Sequence, residues 1–228
     1  MYWGKTMSDT PLFTNRTQAG ERLAEVVQAT LIKQASESKI KPVPIVYALP
    51  RGGLEVAAPV ARVLACPLTI LVAKKISHPE NPELAIGAVT ACGSVIWSQP
   101  RRSYQRQNLR SHQTSLDAAI YQATSLETQL SVACPQVNPE GATVIIVDDG
   151  IATGMTIAAA AVAIRKLSPA EIWLCSPVAP LKLLPWLHQW GDRMIILATP
   201  EPFASVSNFY QQFPQIETTQ ALTYLQNQ

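Results

Sequence analysis

Apolar residues along this chain recur at two spacings. Short continuous runs fill residues 45–49, 68–73, 84–89, 95–98, 143–147, 171–175 and 193–197, and runs of this length predict strands. Between them the spacing lengthens to three and four. Leu23, Val26, Val27, Leu31 and Ile32 predict a helix over 15–36. Leu109, Leu116, Ile120, Ala123, Leu126 and Leu130 trace one stripe of a long amphipathic helix over 101–132. Further helices are predicted over 53–65, 156–167 and 181–189, the first with Pro59 in its interior. The polar segment 74–83 reads as a loop or a solvated hairpin, and Cys92-Gly93 as the turn of a strand pair.

Apolar strands alternating with helices build an α/β fold, with a mostly parallel central sheet flanked by helices. Ligands in such sheets gather at the carboxyl ends of the strands. Three polar segments follow strands directly: Pro50-Arg51-Gly52-Gly53, residues 74–83 and residues 148–156. They converge on one edge of the sheet. Residues 1–12 read as a tail, 13–200 as the core and 201–228 as a closing segment with a short helix near its end.

Composition narrows the function classes. A hydrophobic content of 47% with 15% charged residues is that of a folded domain. A formal charge of +2 is too small for bulk attraction to nucleic acid or membrane, so any anion site must be local. Arg101, Arg102, Arg106 and Arg110 read as a solvated helix face. Cys66, Cys92, Cys134 and Cys175 form no Cys-x-x-Cys pair and are expected to be reduced thiols. No apolar run reaches the ~20 residues of a membrane span and no leader is visible, so a cytoplasmic location is expected.

The richest chemistry lies in Val144-Ile145-Ile146-Val147-Asp148-Asp149-Gly150-Ile151-Ala152-Thr153-Gly154-Met155-Thr156. Two adjacent carboxylates repel, and the arrangement asks for a cationic or hydrogen-bonding ligand. Carboxylates accept from vicinal hydroxyls, and loop amides with threonine hydroxyls hold a phosphate. Together they suit a sugar phosphate. Val-Asp-Asp alone also fits a solvated strand-end turn or a phospho-acceptor domain, but the latter gives no reason for Thr153-Gly154-Met155-Thr156. Gly52 and Gly53 allow the backbone close to an anion, and Arg51 offers forked donors. Lys74 and Lys75 add two cations, while His78 reads as an exposed loop residue. Phe203, Phe209, Tyr210 and Phe213 give the closing segment an aromatic character.

The acidic run resembles the motif of type I phosphoribosyltransferases that binds PRPP (5-phosphoribosyl 1-diphosphate). The resemblance extends to Phe13-x-x-Arg16-x-x-Ala19-Gly20-x-x-Leu23-Ala24, Leu49-Pro50-Arg51-Gly52-Gly53, Pro82-Glu83-Leu84-Ala85-Ile86-Gly87-Ala88-Val89 and Ser176-Pro177-Val178-Ala179-Pro180. These are similar to a bacterial subgroup of undefined acceptor, over about residues 12–215. The resemblance implies that Asp148 and Asp149 bind the ribose hydroxyls. Gly150, Ala152, Thr153, Gly154, Met155 and Thr156 would cradle the 5-phosphate at a helix N-terminus. Arg51, Gly52 and Gly53 would bind pyrophosphate through an unusual peptide conformation, helped by Lys74 and Lys75 on a loop that closes to exclude water. The implied catalytic set is Asp148, Asp149, Arg51 and Lys75. A small hood subdomain would form from 201–228 and part of 13–43, with Phe203 and Val178 toward the acceptor. Mg²⁺ is expected on the PRPP oxygens, reaching Asp148 and Asp149 only through water, and a homodimer is implied.

The expected reaction moves the 5-phosphoribosyl group from PRPP to a nitrogen acceptor, a nucleobase, with release of pyrophosphate. Two departures bear on the acceptor. Ala152 stands where hypoxanthine-guanine enzymes carry an aspartate, and Tyr210 where their hood carries an acid. Both count against 6-oxopurine salvage. The rival reading is a PRPP- or nucleotide-sensing regulator of the same fold without turnover.

Overall fold

The computed structural model describes residues 11–38, 42–98 and 109–227. In chain order the elements are α1 (Arg16–Ser38), β1 (Pro44–Ala48), α2 (Gly52–Leu64), β2 (Leu68–Ile70), β3 (Ala73–His78), β4 (Asn81–Thr90) and β5 (Val95–Trp97). Then come α3 (Leu109–Ser131), β6 (Thr143–Val147), α4 (Met155–Arg165), β7 (Glu171–Val178), α5 (Leu184–Leu187), β8 (Arg193–Ala198) and α6 (Thr218–Gln226). Five strands form a parallel sheet in the order β2-β1-β6-β7-β8. A separate antiparallel sheet holds β3-β4-β5.

Strand β6 shows why this sequence builds such a sheet. All five of its residues are buried. Successive side chains point to opposite faces, so both faces must be covered. Ile145 and Val147 join Leu23, Leu54 and Trp173 in one core. Val144 and Ile146 join Ile157, Ala161 and Ile164 of α4 in the other. The small alanines of α4 let it lie flat on the sheet. On the opposite side α1 and α2 pack closely, because a Cβ at Gly20 would run into the carbonyl of Val56.

From β1 the chain steps to β2 on one side, whereas β6 leads to β7 and β8 on the other. The order therefore reverses between β1 and β6, and a crevice opens at their carboxyl ends. Ala48 lies level with Val147. The segments that follow, residues 49–52 and 148–154, leave the sheet side by side.

The mostly parallel sheet agrees with expectation, and the region after β2 does so in part. The strand pair about Cys92-Gly93 is present, but the apolar run 68–73 is divided between two sheets, and from Lys74 the chain forms a hairpin and not a closing loop. Ile76 is fully buried against Leu116 and Ala119 of α3, whereas Lys75 is exposed. His78, expected to be exposed on a loop, ends β3 half-buried with its ring edge-on to that of His112. A strand covered on one face alternates polar and apolar, so it looks polar beside the all-buried strands of the main sheet. The expected helix over 181–189 is a 3-10 turn followed by the single helical turn α5, with a proline near its start. The start of the helix predicted over 101–132 falls outside the described residues, with Arg101, Arg102 and Arg106. Among the described residues, no helix is long and apolar enough to cross a membrane.

Gly20→Ala is expected to lower stability by about 1–3 kcal/mol, because the added methyl must push α1 off α2. Urea unfolding measures this. A variant as stable as the native chain would show that the helices part without cost.

Candidate active site

The two loops of the crevice touch. After β1 the Pro50–Arg51 peptide is cis, and α2 begins at Gly52. Gly52 lies directly under Asp149: a Cβ there would collide with the Asp149 carboxylate and stand 3.1 Å from Arg16 Nε. A Cβ at Gly53 would stand 2.9 Å from the Val147 carbonyl oxygen. Two consecutive glycines are therefore what allow the first loop against the second.

Asp148 and Asp149 sit at the end of β6, partly enclosed by protein. The Asp149 amide donates to Asp148 Oδ1 at 2.9 Å. Asp149 Oδ2 accepts from Arg16 Nε at 2.7 Å. Arg16 is itself buried, and its Nη1 donates to the Pro214 carbonyl at 2.8 Å. Its guanidinium lies 3.5 Å from the centre of the Phe213 ring. Burial raises the pKa of Asp148 well above the usual carboxylate range, and the neighbouring charge of Asp149 raises it further. Burial also raises Asp149, while the ion pair and hydrogen bond of Arg16 oppose that rise. The two carboxyls are thus chemically unequal.

The loop after Asp149 is built to present backbone. Ile151 is buried and its amide donates to the Val178 carbonyl at 2.9 Å. Ala152 and Thr153 are exposed. Gly154 precedes α4 with φ +75, and a Cβ there would meet the Trp186 ring at 2.8 Å. Glycine alone satisfies both demands. The first amides of α4 have no partners within the helix and offer an anion site, reinforced by the helix dipole. Met155 is buried against Ala88 and Ile96, so its amide and not its side chain is available to a ligand. Thr156 is half-buried in the first turn.

Cations gather on the other side. A cleft of about 390 Å³ is lined by Arg16, Arg51, Gly52, Lys74, Phe213 and Pro214, among others. Lys74 has its pKa lowered by burial and by the nearby charge of Arg51. Two cations held together in this way suit an anion. Arg51 Nη1 lies 3.8 Å from Glu217 Oε2, at the start of α6. Lys75 is exposed and follows Lys74 on the strand, so it points to the opposite face of β3.

Residues 19–184 match the family model described as "Phosphoribosyl transferase domain". The chain belongs to this family. A Mycobacterium tuberculosis protein named "Putative phosphoribosyl transferase Rv0571c" is 31% identical over 223 residues, which is 94% of this chain and 46% of that one. The chain thus spans about half the length of the curated relatives it matches. The crystal structure of TT1426 from Thermus thermophilus overlaps with a TM-score of 0.74 at 27% identity, covering 94% of this chain and 98% of that one.

In this phosphoribosyltransferase domain residues near both ends of the described chain pack together as a lid. Phe13 bridges Tyr210, and the amides of Leu12 and Phe13 both donate to the Phe209 carbonyl at 3.0 Å. The lid rests on the acidic motif. Val206 fills the space where Gly150 lacks a side chain, and the Tyr210 hydroxyl donates to the Asp149 carbonyl at 2.6 Å. Phe203 is half-buried, with its ring centre 4.9 Å from that of Phe209. Val178 is fully buried with Phe13, Ala19 and Tyr210, so its side chain is closed to a ligand in this structure.

Arg16 and the Tyr210 hydroxyl are the contacts that sequence reasoning did not assign. Arg16 was visible only as one position of the family-like segment that begins at Phe13. The available signal was chemical: an arginine beside the apolar face of α1 needs an anion, and the chain offers an unusually demanding pair of them. For Tyr210 no such signal exists, since the bond goes to a backbone oxygen.

The raised pKa of Asp148 means that the folded chain holds its proton more tightly than the unfolded chain does. Stability therefore falls as pH rises from the unfolded carboxylate value, about 3.9, through the folded one. Asp148→Asn removes that loss. Its melting temperature should exceed the native one at neutral pH, with the gap closing on acidification toward pH ~4. Thermal melts across pH check this, and a gap that widened in acid would contradict it.

Proposed function

We propose that this domain transfers the 5-phosphoribosyl group of PRPP to a nitrogen acceptor, releasing pyrophosphate. The observation that carries the reading is the contact of Gly52 with Asp149. It brings a loop suited to pyrophosphate against a carboxylate pair suited to ribose, at the one place where the sheet order reverses. In this reading Asp148 and Asp149 accept hydrogen bonds from the ribose hydroxyls and stabilise positive charge at C1. The amides of residues 152–156 take the 5-phosphate. Arg51, the Gly52 and Gly53 amides and Lys74 stabilise the departing pyrophosphate. The nitrogen lone pair forms its bond to C1 as the C1–oxygen bond to pyrophosphate breaks. Catalysis rests on positioning and electrostatics, since no side chain of the site forms a covalent intermediate.

The residues also fit Mg²⁺. Asp148 is not ion-paired among the described residues, and Arg16 engages only Oδ2 of Asp149. Such a pair suits a hydrated cation held mainly by the oxygens of PRPP, where it would neutralise charge on the diphosphate. The acceptor enters beneath the lid, with Phe203 as the stacking surface. Ala152 offers no acid to a base, which points away from 6-oxopurines.

The test follows pyrophosphate release from PRPP and Mg²⁺ against a panel of nucleobases and other nitrogen acceptors. Base-dependent release that drops about 10²-fold or more in Asp148→Asn supports the transferase. Tight PRPP binding without release on any acceptor would assign the site to sensing, and absence of PRPP binding would reject both. Phe203→Ala should raise the acceptor KM about three- to tenfold while sparing the KM for PRPP, the usual size of a stacking contribution. Equal losses on the two substrates would reject the stacking role.

A further inference from the structure

Arg16 has no part in the reaction just described, yet it engages both halves of the site. It is 4% exposed. One edge of its guanidinium holds Asp149 at 2.7 Å and another holds the Pro214 carbonyl at 2.8 Å. Its face lies on the Phe213 ring, and Glu55 stands 4.0 Å from Nη1. The lid is thus bound to the acidic pair twice, through Arg16 and through the Tyr210 hydroxyl on the Asp149 carbonyl. Both links end on Asp149 and neither on Asp148. Only a planar fork with several fixed donors can serve a carboxylate, a carbonyl and a ring face together; an ammonium is a point charge that serves one direction at a time.

We propose that Arg16 is a positioning residue that joins the donor site to the lid, committing Asp149 to the lid and leaving Asp148 as the carboxylate that first receives the ribose. The donor in this proposal rests on the phosphoribosyl-transfer reading, whereas the tether does not. When ribose hydroxyls compete for Asp149 Oδ2, the guanidinium must adjust, and Phe213 and Pro214 are what it carries with it. Donor binding then sets the lid that covers the acceptor. This accounts for an arginine lining the cleft from the lid side, where it needs no direct contact with pyrophosphate.

The test compares the native chain with Arg16→Lys and Arg16→Gln, all shown to be folded by circular dichroism. Amide hydrogen exchange is read over residues 209–216 against an internal reference in α4, with and without PRPP and Mg²⁺. In the ligand-free state both variants should exchange faster over 209–216, with α4 unchanged. PRPP should slow exchange there in the native chain and fail to do so in either variant. PRPP affinity should rise about tenfold in Arg16→Gln, because the ribose no longer displaces a charged hydrogen bond from Asp149, and stay near the native value in Arg16→Lys, which keeps the ion pair. That split is one a merely structural arginine would not produce. Unchanged ligand-free exchange over 209–216 in Arg16→Gln would overturn the tether, whether or not PRPP binds. A native chain that binds no PRPP, with a lid that still loosens in the variants, would overturn the donor assignment and retain the tether.

Discussion

Two carboxylates on consecutive residues, at the end of a buried strand, repel each other and lose water together. Much of the local architecture compensates for this. Arg16 is brought from α1 to pair with Asp149, and Asp149's own amide turns to Asp148. Gly52 gives up a side chain so that the neighbouring loop can close on the pair. The lid places a tyrosine hydroxyl on the Asp149 carbonyl. These groups come from four distant parts of the chain. A protein that needed only a stable core would have no use for the pair, since replacing buried charge with apolar residues is often neutral or stabilising. The cost is sensible where a ligand with vicinal hydroxyls completes the site.

The parallel sheet was legible because its strands are buried on both faces, and continuous apolar runs report this directly. Residues 143–147 were located to the residue for that reason. The small antiparallel sheet was legible only in part: its strand pair about Cys92-Gly93 was read, its first strand was not. Its strand β3 has one covered face, so Lys74 and Lys75 dilute the signal of Ile76, and periodicity over so short a stretch does not separate hairpin from loop. Helix α5 fell short of expectation because proline near its start and a 3-10 turn before it limit its growth.

The candidate site was legible where backbone chemistry is written in residue type. Glycines at 52, 53 and 154 mark close approaches that only glycine allows, and each lies where a loop meets its neighbour. Side-chain direction was less accessible. The two lysines are adjacent in sequence, and only the pleat of β3 decides that Lys74 meets Arg51 and Lys75 does not. Val178 sits in one of the family-like segments, yet the structure uses it as core beneath the lid. Partners separated by the whole length of the chain, such as Arg16 and Pro214, left no local trace.

That last separation has a consequence for how the molecule comes into being. The Arg16 side chain and the Pro214 carbonyl are 198 positions apart, and the Phe13–Tyr210 bridge spans nearly as far. During synthesis the sheet strands β1, β2, β6 and β7 can pair before residues near 210 emerge from the ribosome. Contacts of such long range are slow to form and add little until the rest is in place. For that interval the acidic pair ends a strand with its arginine attached on one side only and no aromatic cover. The lid contacts can close over the pair only once residues near 210 have joined strands that are already able to pair.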